Sequence, residues 1–371
     1  MKHLQTALRA VVSLGLCAAL LAGCSFFPSD SSSDAAAPVD PLTGQELLWP
    51  GQRPVAVSIE NATSSTTQWG LSSASVVLEA RTRLQGSTRL CLVYPSVEAV
   101  PRVGPVAGGE DLYWRLLVGQ QILPVQRGGG AFDQNYLDYY SLRAVDALEA
   151  GRNAFSCPEG WSNAPLWYTS GPALSRVLDA LSISSALTES RVTSAVPAAS
   201  GDTADAGGEE TILTVPSLLP QSAHNKVPDA TATDAVNVLL QFDEQNATGF
   251  AYDADSATYR MLHADGTPQL DVNNGQQAAF DNLVVLFSAS SLRDDDQTFD
   301  YDLSMGGGVW LNGGHLWYIT WTQGADSTFL FYDSDGELLP LNAGRSYLAL
   351  VSSVTGQELT VTNSAGEDLI P

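Results

Sequence analysis

Beyond Ala235 the chain is cut by turn chemistry into short apolar runs, and this rhythm restricts its fold more than any other feature. Asp333-Ser334-Asp335-Gly336, Asn312-Gly313-Gly314, His263-Ala264-Asp265-Gly266 and Asn342-Ala343-Gly344 all offer a Gly or Asn that tolerates the positive φ of a tight turn. Between and around them lie Ala235–Phe242, Thr248–Tyr252, Thr258–Leu262, Asn282–Phe287, Gly308–Leu311, His315–Thr322, Thr328–Tyr332 and Tyr347–Val351, each about the length of one strand. Strands joined by such turns pair antiparallel, so the second half is expected to be a β meander.

The first half is patterned differently. Val55, Val57 and Ile59 alternate within Pro54–Glu60 and mark a strand, and Arg89–Tyr94 and Gln121–Val125 read as two more. Ser72–Leu84 fits either a short helix leading into a strand or a strand alone. Leu112–Leu117, Ala144–Ala150 and Pro172–Leu181 read as helices, the last with its proline just inside the start, where the missing N–H costs nothing. Thr188–Glu210 loses all pattern and fills with Ser, Thr, Ala, Asp and Gly. The expected fold class is α+β: a mixed amino-terminal α/β domain at residues 48–187, a linker or insertion at 188–210, and a mainly antiparallel β carboxy-terminal domain at 211–371.

The first 23 residues belong to neither domain. Lys2 and Arg9 precede an apolar run, Ala10–Leu20, that is too short for the about 20 residues of a membrane span and has the layout of a secretory signal peptide. It closes on Leu21-Ala22-Gly23-Cys24, which resembles the lipobox of bacterial lipoproteins. The resemblance implies that Cys24 becomes the first mature residue and carries palmitate-class acyl chains, two or three of which anchor stably where one does not. Residues 24–47, rich in Ser, Asp, Ala and Pro, are expected to be a flexible tether. The localisation implied is the extracytoplasmic face of a cell membrane.

Charge and cysteine count narrow the rest. With the leader removed, 15 Lys plus Arg face 41 Asp plus Glu, a formal charge of about −26, which excludes nucleic acid as a natural partner. Lys226 is the only lysine left, so phosphate-loop and Schiff-base chemistry would have to rest on it alone. Cys91 and Cys157 remain in the folded part; in an oxidising compartment they are expected as one disulfide, with two buried thiols as the alternative.

Arg53-Pro54-Val55-Ala56-Val57 with Glu60-Asn61, Gly70-Leu71-Ser72 before Val76-Val77-Leu78-Glu79, Thr88-Arg89, and Val103-Gly104-Pro105-Val106 form an ordered set in the first domain. Tyr259-Arg260, Asp281–Val285, Gly306–Gly308, Asn312-Gly313, Trp321, and Asp335-Gly336 followed by Leu341–Tyr347 form one in the second. Together they make the chain resemble the YerB-like lipoprotein family, which joins two domains of unknown function. The departures are informative. Ala107-Gly108-Gly109-Glu110 stands where the family carries an Arg-Ser-Ala-Arg run, Gln126 where it carries histidine, and Pro165-Leu166-Trp167 where it carries Pro-His-Asn. The resemblance therefore implies binding rather than catalysis in this chain.

No reactive constellation competes with that reading. His224, His263 and His315 are far apart in sequence, and no Cys-x-x-Cys, Gly-x-Ser-x-Gly or Ser-x-x-Lys occurs. Asp253 with Asp255, Asp294–Asp296, and Asp333 with Asp335 offer oxygen ligands but complete no twelve-residue calcium loop, so no metal or cofactor is assigned. The glycine runs Gly128–Gly130 and Gly306–Gly308 lack a following Lys-Ser or Lys-Thr and are read as places of close backbone approach. Trp161, Trp167, Trp310, Trp317, Trp321, Tyr113, Trp114, Tyr139 and Tyr140 could pack the core or stack on sugar.

The leading expectation is a non-catalytic envelope protein whose interdomain cleft, lined by Glu60, Asn61, Glu79, Arg89, Gln126, Gly128 and Gly129, binds a ligand, a cell-wall glycan or an envelope protein. The alternatives are a cell-wall hydrolase using Glu60 and Glu79 as a carboxylate pair, and a structural assembly factor. The bland reading of Glu79 is a salt bridge to Arg81 or Arg89.

Overall fold

The alternation in Pro54–Glu60 does build a strand, and ten more line up with it in one sheet. The structure is a computed structural model that describes residues 38–61, 67–157, 167–188, 194–197, 211–222, 225 and 233–370. The leader, Cys24, Trp161, His224 and Lys226 lie outside the described residues.

In the first half, β1 (Val55–Glu60), β2 (Val76–Ala80), β3 (Arg89–Tyr94), β4 (Leu123–Gln126) and β5 (Val145–Asp146) alternate with four short α-helices. These are α1 (Asp111–Leu117), α2 (Ala131–Tyr139), α3 (Ala147–Ala150) and α4 (Gly171–Leu178). Then come a hairpin of β6 (Ser194–Pro197) and β7 (Thr211–Thr214), and the strands β8 (Thr233–Asp234), β9 (Asn237–Gln241), β10 (Ala247–Asp253) and β11 (Thr258–His263). Next are β12 (Leu270–Asp271), β13 (Gln276–Gln277), β14 (Ala279–Phe280), β15 (Asn282–Ser288), β16 (Ser290–Leu292) and β17 (Phe299–Tyr301). The last are β18 (Met305–Asn312), β19 (His315–Gln323), β20 (Phe329–Tyr332), β21 (Ser346–Ser352) and β22 (Glu358–Thr362).

The large sheet runs β20-β19-β18-β15-β21-β2-β3-β1-β4-β5, with β8 added beside β19. Its two halves meet where β21 lies parallel to β2, Val76 opposite Ser346 and Ala80 opposite Leu350. This corrects the expected meander at one strand: β21 also pairs parallel with β15, because it returns across the sheet to close the gap between the halves. The mixed pairing of β1–β5 and the antiparallel pairing of β15 with β18–β20 otherwise give the α+β class expected.

Each face of this sheet owns a core. On one, Val55, Val57, Ile59, Leu90, Leu92 and Tyr347 pack under the second sheet, β14-β11-β10-β9-β22, and under α4. On the other, Ala56, Leu78, Cys91, Trp310 and Leu350 pack under α1, Leu137 of α2, and the β16–β17 hairpin. Trp114, Tyr113, Trp310 and Trp321 are fully buried here, so they are core residues. The glycine run in β18 is a close approach: a Cβ on Gly306 or Gly308 would lie 2.2 or 2.5 Å from a β15 carbonyl oxygen.

Three local expectations change. The tether expected at residues 24–47 does not reach residue 47, because Leu42 is fully buried and Asp40 accepts from the N–H groups of Leu42 and Thr43 in a closed turn. The helix expected at Ala144–Ala150 is only one turn long, since Val145 and Asp146 join the sheet and Asp146 then caps α3 through Leu148 N–H. Helix α2 had no readable signature: only Asp133 and Leu137 of its nine residues are buried, so it carries no apolar stripe.

Candidate functional site

Alternation along β1, β2 and β3 decides where the expected site residues fall. Glu79 stands level with Leu90 and Ala349, on the face covered by the second sheet. Glu60 and Arg89 stand opposite each other on the other face, as does Gln126 at the end of β4. The single expected cleft is therefore two separate places, and the correction extends to the hydrolase alternative. Glu60 and Glu79 lie on opposite sides of a sheet and cannot flank one glycosidic bond.

Glu79 is fully buried at the join of the two halves. Its Oε1 accepts from Asn61 Nδ2 at 2.8 Å and Thr88 Oγ1 at 2.5 Å, and its Oε2 accepts from Thr248 Oγ1 at 2.9 Å and Tyr347 Oη at 2.5 Å. The expected ion pair is not made: Arg81 pairs with Asp243 at 3.2 Å, and Arg89 with Glu110 and Glu60 at 3.3 and 3.6 Å. Burial raises the Glu79 carboxyl above its ordinary range, and the four neutral donors pull part of the way back. Nothing in the sequence linked Thr248 of β10 or Tyr347 of β21 to Glu79, because each is remote from it in the chain and lies in a run read as a strand.

The network continues outward. Asn61 Oδ1 accepts from Gln269 Nε2 at 3.2 Å, the same nitrogen reaches Gln68 Oε1 at 2.7 Å, and Gln68 donates to Glu60 O at 2.9 Å. Above it opens a cavity of about 230 Å³ lined by Asn61, Ser87 and Thr88 from the first half and by Gln245, Asn246, Ala247, His263, Ala264, Asp265 and Gln269 from the second. Six of the ten lining residues carry an amide or a hydroxyl, beside the His263 ring, the Asp265 carboxylate and two alanines. Because Thr88 and Asn61 spend hydrogens on Glu79, they turn acceptor character toward their other neighbours.

The opposite face is ionic. Glu110 Oε1 lies 3.1 Å from Arg83 Nε and 3.3 Å from Arg89 Nε. Arg293 holds Asp111 through two bonds of 3.1 and 2.7 Å and also reaches Asp300, which Arg115 contacts at 2.5 Å. Beside this lattice, Asp133 accepts from Trp114 Nε1 at 2.5 Å and from Gln126 Nε2 at 3.0 Å, and that amide also donates to Asp146 at 3.1 Å. Burial lifts Asp133 to about 6. Gly128 N–H donates to Asp146, and side chains at Gly109 or Gly129 would collide with Asp133, which is why glycine occupies both. A second cavity of about 340 Å³ opens here, lined by Glu110, Asp111, Phe132, Asp133 and Asp295 among others. The Asp295 carboxylate is committed to its own turn through the Thr298 hydroxyl and the N–H groups of Thr298 and Gln297, which hold it at about 2.

The disulfide is corrected as well. Cys91 and Cys157 are free thiols. Cys91 faces the core under α1, whereas Ala154 and Phe155, just before Cys157, pack into the core on the other face of the sheet. Among the described residues no cluster of three His, Cys, Asp or Glu has the spacing of a metal site, and no helix is long and apolar enough to cross a membrane.

The architecture is that of a two-part protein fused through one sheet, with a polar cavity at the fusion. Residues 42–184 match the family described as protein of unknown function (DUF3048) N-terminal domain, and residues 238–348 match the corresponding C-terminal domain. The chain belongs to this YerB-like two-domain family. It is 24% identical over 330 residues, 86% of this chain and 88% of the relative, to a Bacillus subtilis (strain 168) protein named as a lipoprotein, YerB. The crystal structure of YerB protein from Bacillus subtilis superposes with a TM-score of 0.68 at 20% identity, covering 87% of this chain and 99% of that one, and shows the same fold.

Proposed function

We propose that this protein is a lipid-anchored envelope protein, held at the extracytoplasmic face of a membrane through Cys24, that binds a small neutral polar ligand in the cavity over Glu79. The lipobox-like Leu21–Cys24 and a relative named as a lipoprotein support the anchor. Labelled palmitate should enter the wild type and not Cys24→Ala.

The observation that carries the binding reading is a floor of spent donors beneath a wall of amides. Glu79 fixes Asn61 and Thr88 without a counter-cation, so the wall above keeps one geometry and presents hydrogen-bonding groups to a ligand of roughly that size. A strongly negative surface, with the Asp265 carboxylate in the cavity wall, disfavours anions, and the amides and hydroxyls beside it offer hydrogen bonds to an uncharged ligand. The family arginines and histidine are replaced on the opposite face of the sheet, so their loss leaves this cavity intact.

Thermal shift against neutral monosaccharides and amino-acid amides tests it. The expected result is a saturable upshift that Asn61→Ala abolishes and Arg89→Ala retains, because Arg89 lies across the sheet. No upshift with any neutral compound, or one insensitive to Asn61→Ala, rejects the reading.

A further inference from the structure

The hydrogen bonds around Glu79 have a direction, and it runs outward into the cavity. A carboxylate only accepts, so Glu79 obliges Asn61 to present its amide nitrogen, which bonds Glu79 Oε1 at 2.8 Å and Thr88 Oγ1 at 2.9 Å. The Asn61 carbonyl oxygen is thereby turned to Gln269, whose Nε2 gives it one hydrogen at 3.2 Å and gives the other to Gln68 Oε1 at 2.7 Å. Gln68 is fixed in the same sense, because its own nitrogen donates to the Glu60 carbonyl. Gln269 is left with one orientation. Both its hydrogens are spent inside the protein, and Oε1 accepts from no described residue although Gln269 is only 1% exposed.

Asn246 repeats the pattern. Its Nδ2 donates to Asp243 at 2.8 Å and to Gly86 O at 3.0 Å, and its Oδ1 has no partner among the described residues. Both residues line the cavity. A carbonyl oxygen sheltered from bulk water and without a protein partner gains more from a ligand's donor than an exposed one does.

The wall therefore selects by the sense of its hydrogen bonds. A hydroxyl brings two lone pairs with every hydrogen, and beside carbonyl oxygens and the Asp265 carboxylate those lone pairs find no donor. A primary carboxamide nitrogen brings two hydrogens in one plane and no accepting lone pair. Its own carbonyl can turn outward to Gln245, which is exposed and keeps its NH₂ uncommitted among the described residues.

We infer that the cavity over Glu79 recognises the unsubstituted NH₂ of a small neutral carboxamide, with Gln269 Oε1 and Asn246 Oδ1 as its acceptors. This names a ligand class for the site proposed above and rests on that reading.

The test is titration of the full chain with N-acetylglycinamide, its N,N-dimethylamide and N-acetylglycine methyl ester, three neutral compounds on one skeleton, followed by shifts of the side-chain amide resonances. Wild type should bind the primary amide saturably and at least tenfold more tightly than either analogue, since each neutral hydrogen bond lost is worth about fivefold. Gln269→Met, which keeps the length and removes the carbonyl, should bring the amide close to its analogues. That change also strips Asn61 and Gln68 of a donor, so Asn246→Ala, at a partly exposed position, gives an independent reading and should weaken amide binding about fivefold. Equal binding of the three compounds, or an amide affinity unchanged in Asn246→Ala, overturns the inference. If monosaccharides bind and the amide does not, the cavity still takes a neutral ligand and this inference alone falls. If no neutral compound binds, both fall.

Discussion

The two faces of the central sheet solve the same problem, a buried carboxyl, in opposite ways. On one face Glu79 is surrounded by an amide and three hydroxyls. On the other, Glu110 and Asp111 are held by Arg83, Arg89 and Arg293. Burial raises the proton affinity of both Glu79 and Glu110; around Glu79 only neutral hydrogen bonds pull against that rise, whereas beside Glu110 the charges of Arg89 and Arg83 do, and each charged partner is costly to remove. A cavity opens on each face, but only the ionic face ties the halves together by charge, Arg293 reaching Asp111 and Arg115 reaching Asp300.

Arg293→Ala breaks the comparison hardest. It strips Asp111, which is 6% exposed, of its bidentate partner and removes the cation over the Phe132 ring. Urea denaturation should show a loss of about 3–5 kcal/mol, the usual penalty for an orphaned buried charge. A loss below about 1 kcal/mol would mean that Arg115 or solvent takes over and the tie is redundant.

The middle-sized effect belongs to Asp133, a carboxyl on the ionic face whose hydrogen-bond partners, Trp114 and Gln126, are neutral. A raised folded pKa means that the native state holds a proton which the unfolded chain releases. Asp133 thus adds stability that is complete below its ordinary 3.8 and is lost as pH climbs through about 6. Relative to Asp133→Asn, wild type should lose roughly 2 kcal/mol between about pH 4 and about pH 6. Parallel curves for the two proteins would show that Asp133 is ionised throughout.

Tyr347→Phe sharpens the neutral face. It removes one donor from Glu79 while leaving three, and should cost about 1 kcal/mol at neutral pH. The carboxyl should also rise further, because a hydrogen bond to its charged form is lost. Carbonyl infrared absorption of the buried acid, followed through a pH titration, reads that shift directly.

Much of the fold was legible. Val55, Val57 and Ile59 reach one core face and Ala56 the other, as a period of two requires, and the turns around Gly313 and Gly336 take positive φ where hairpin chemistry placed them. The site was less legible. Asn61 and Glu79 do meet, but Glu60, Arg89, Gln126, Gly128 and Gly129 belong to the other face. One residue of register separates those outcomes, and strand ends look alike in sequence whichever way they point.

What the sequence by itself determined was local: which segments extend, where they turn, and a strongly acidic composition. Only the tertiary structure decided that β21 closes the sheet against β2, bringing Tyr347 and Thr248 onto a carboxyl in the first half. Pairing between strands some 270 residues apart is set by how two apolar faces bury each other. A buried hydrogen-bond network inherits its partners from that packing, not from spacing along the chain.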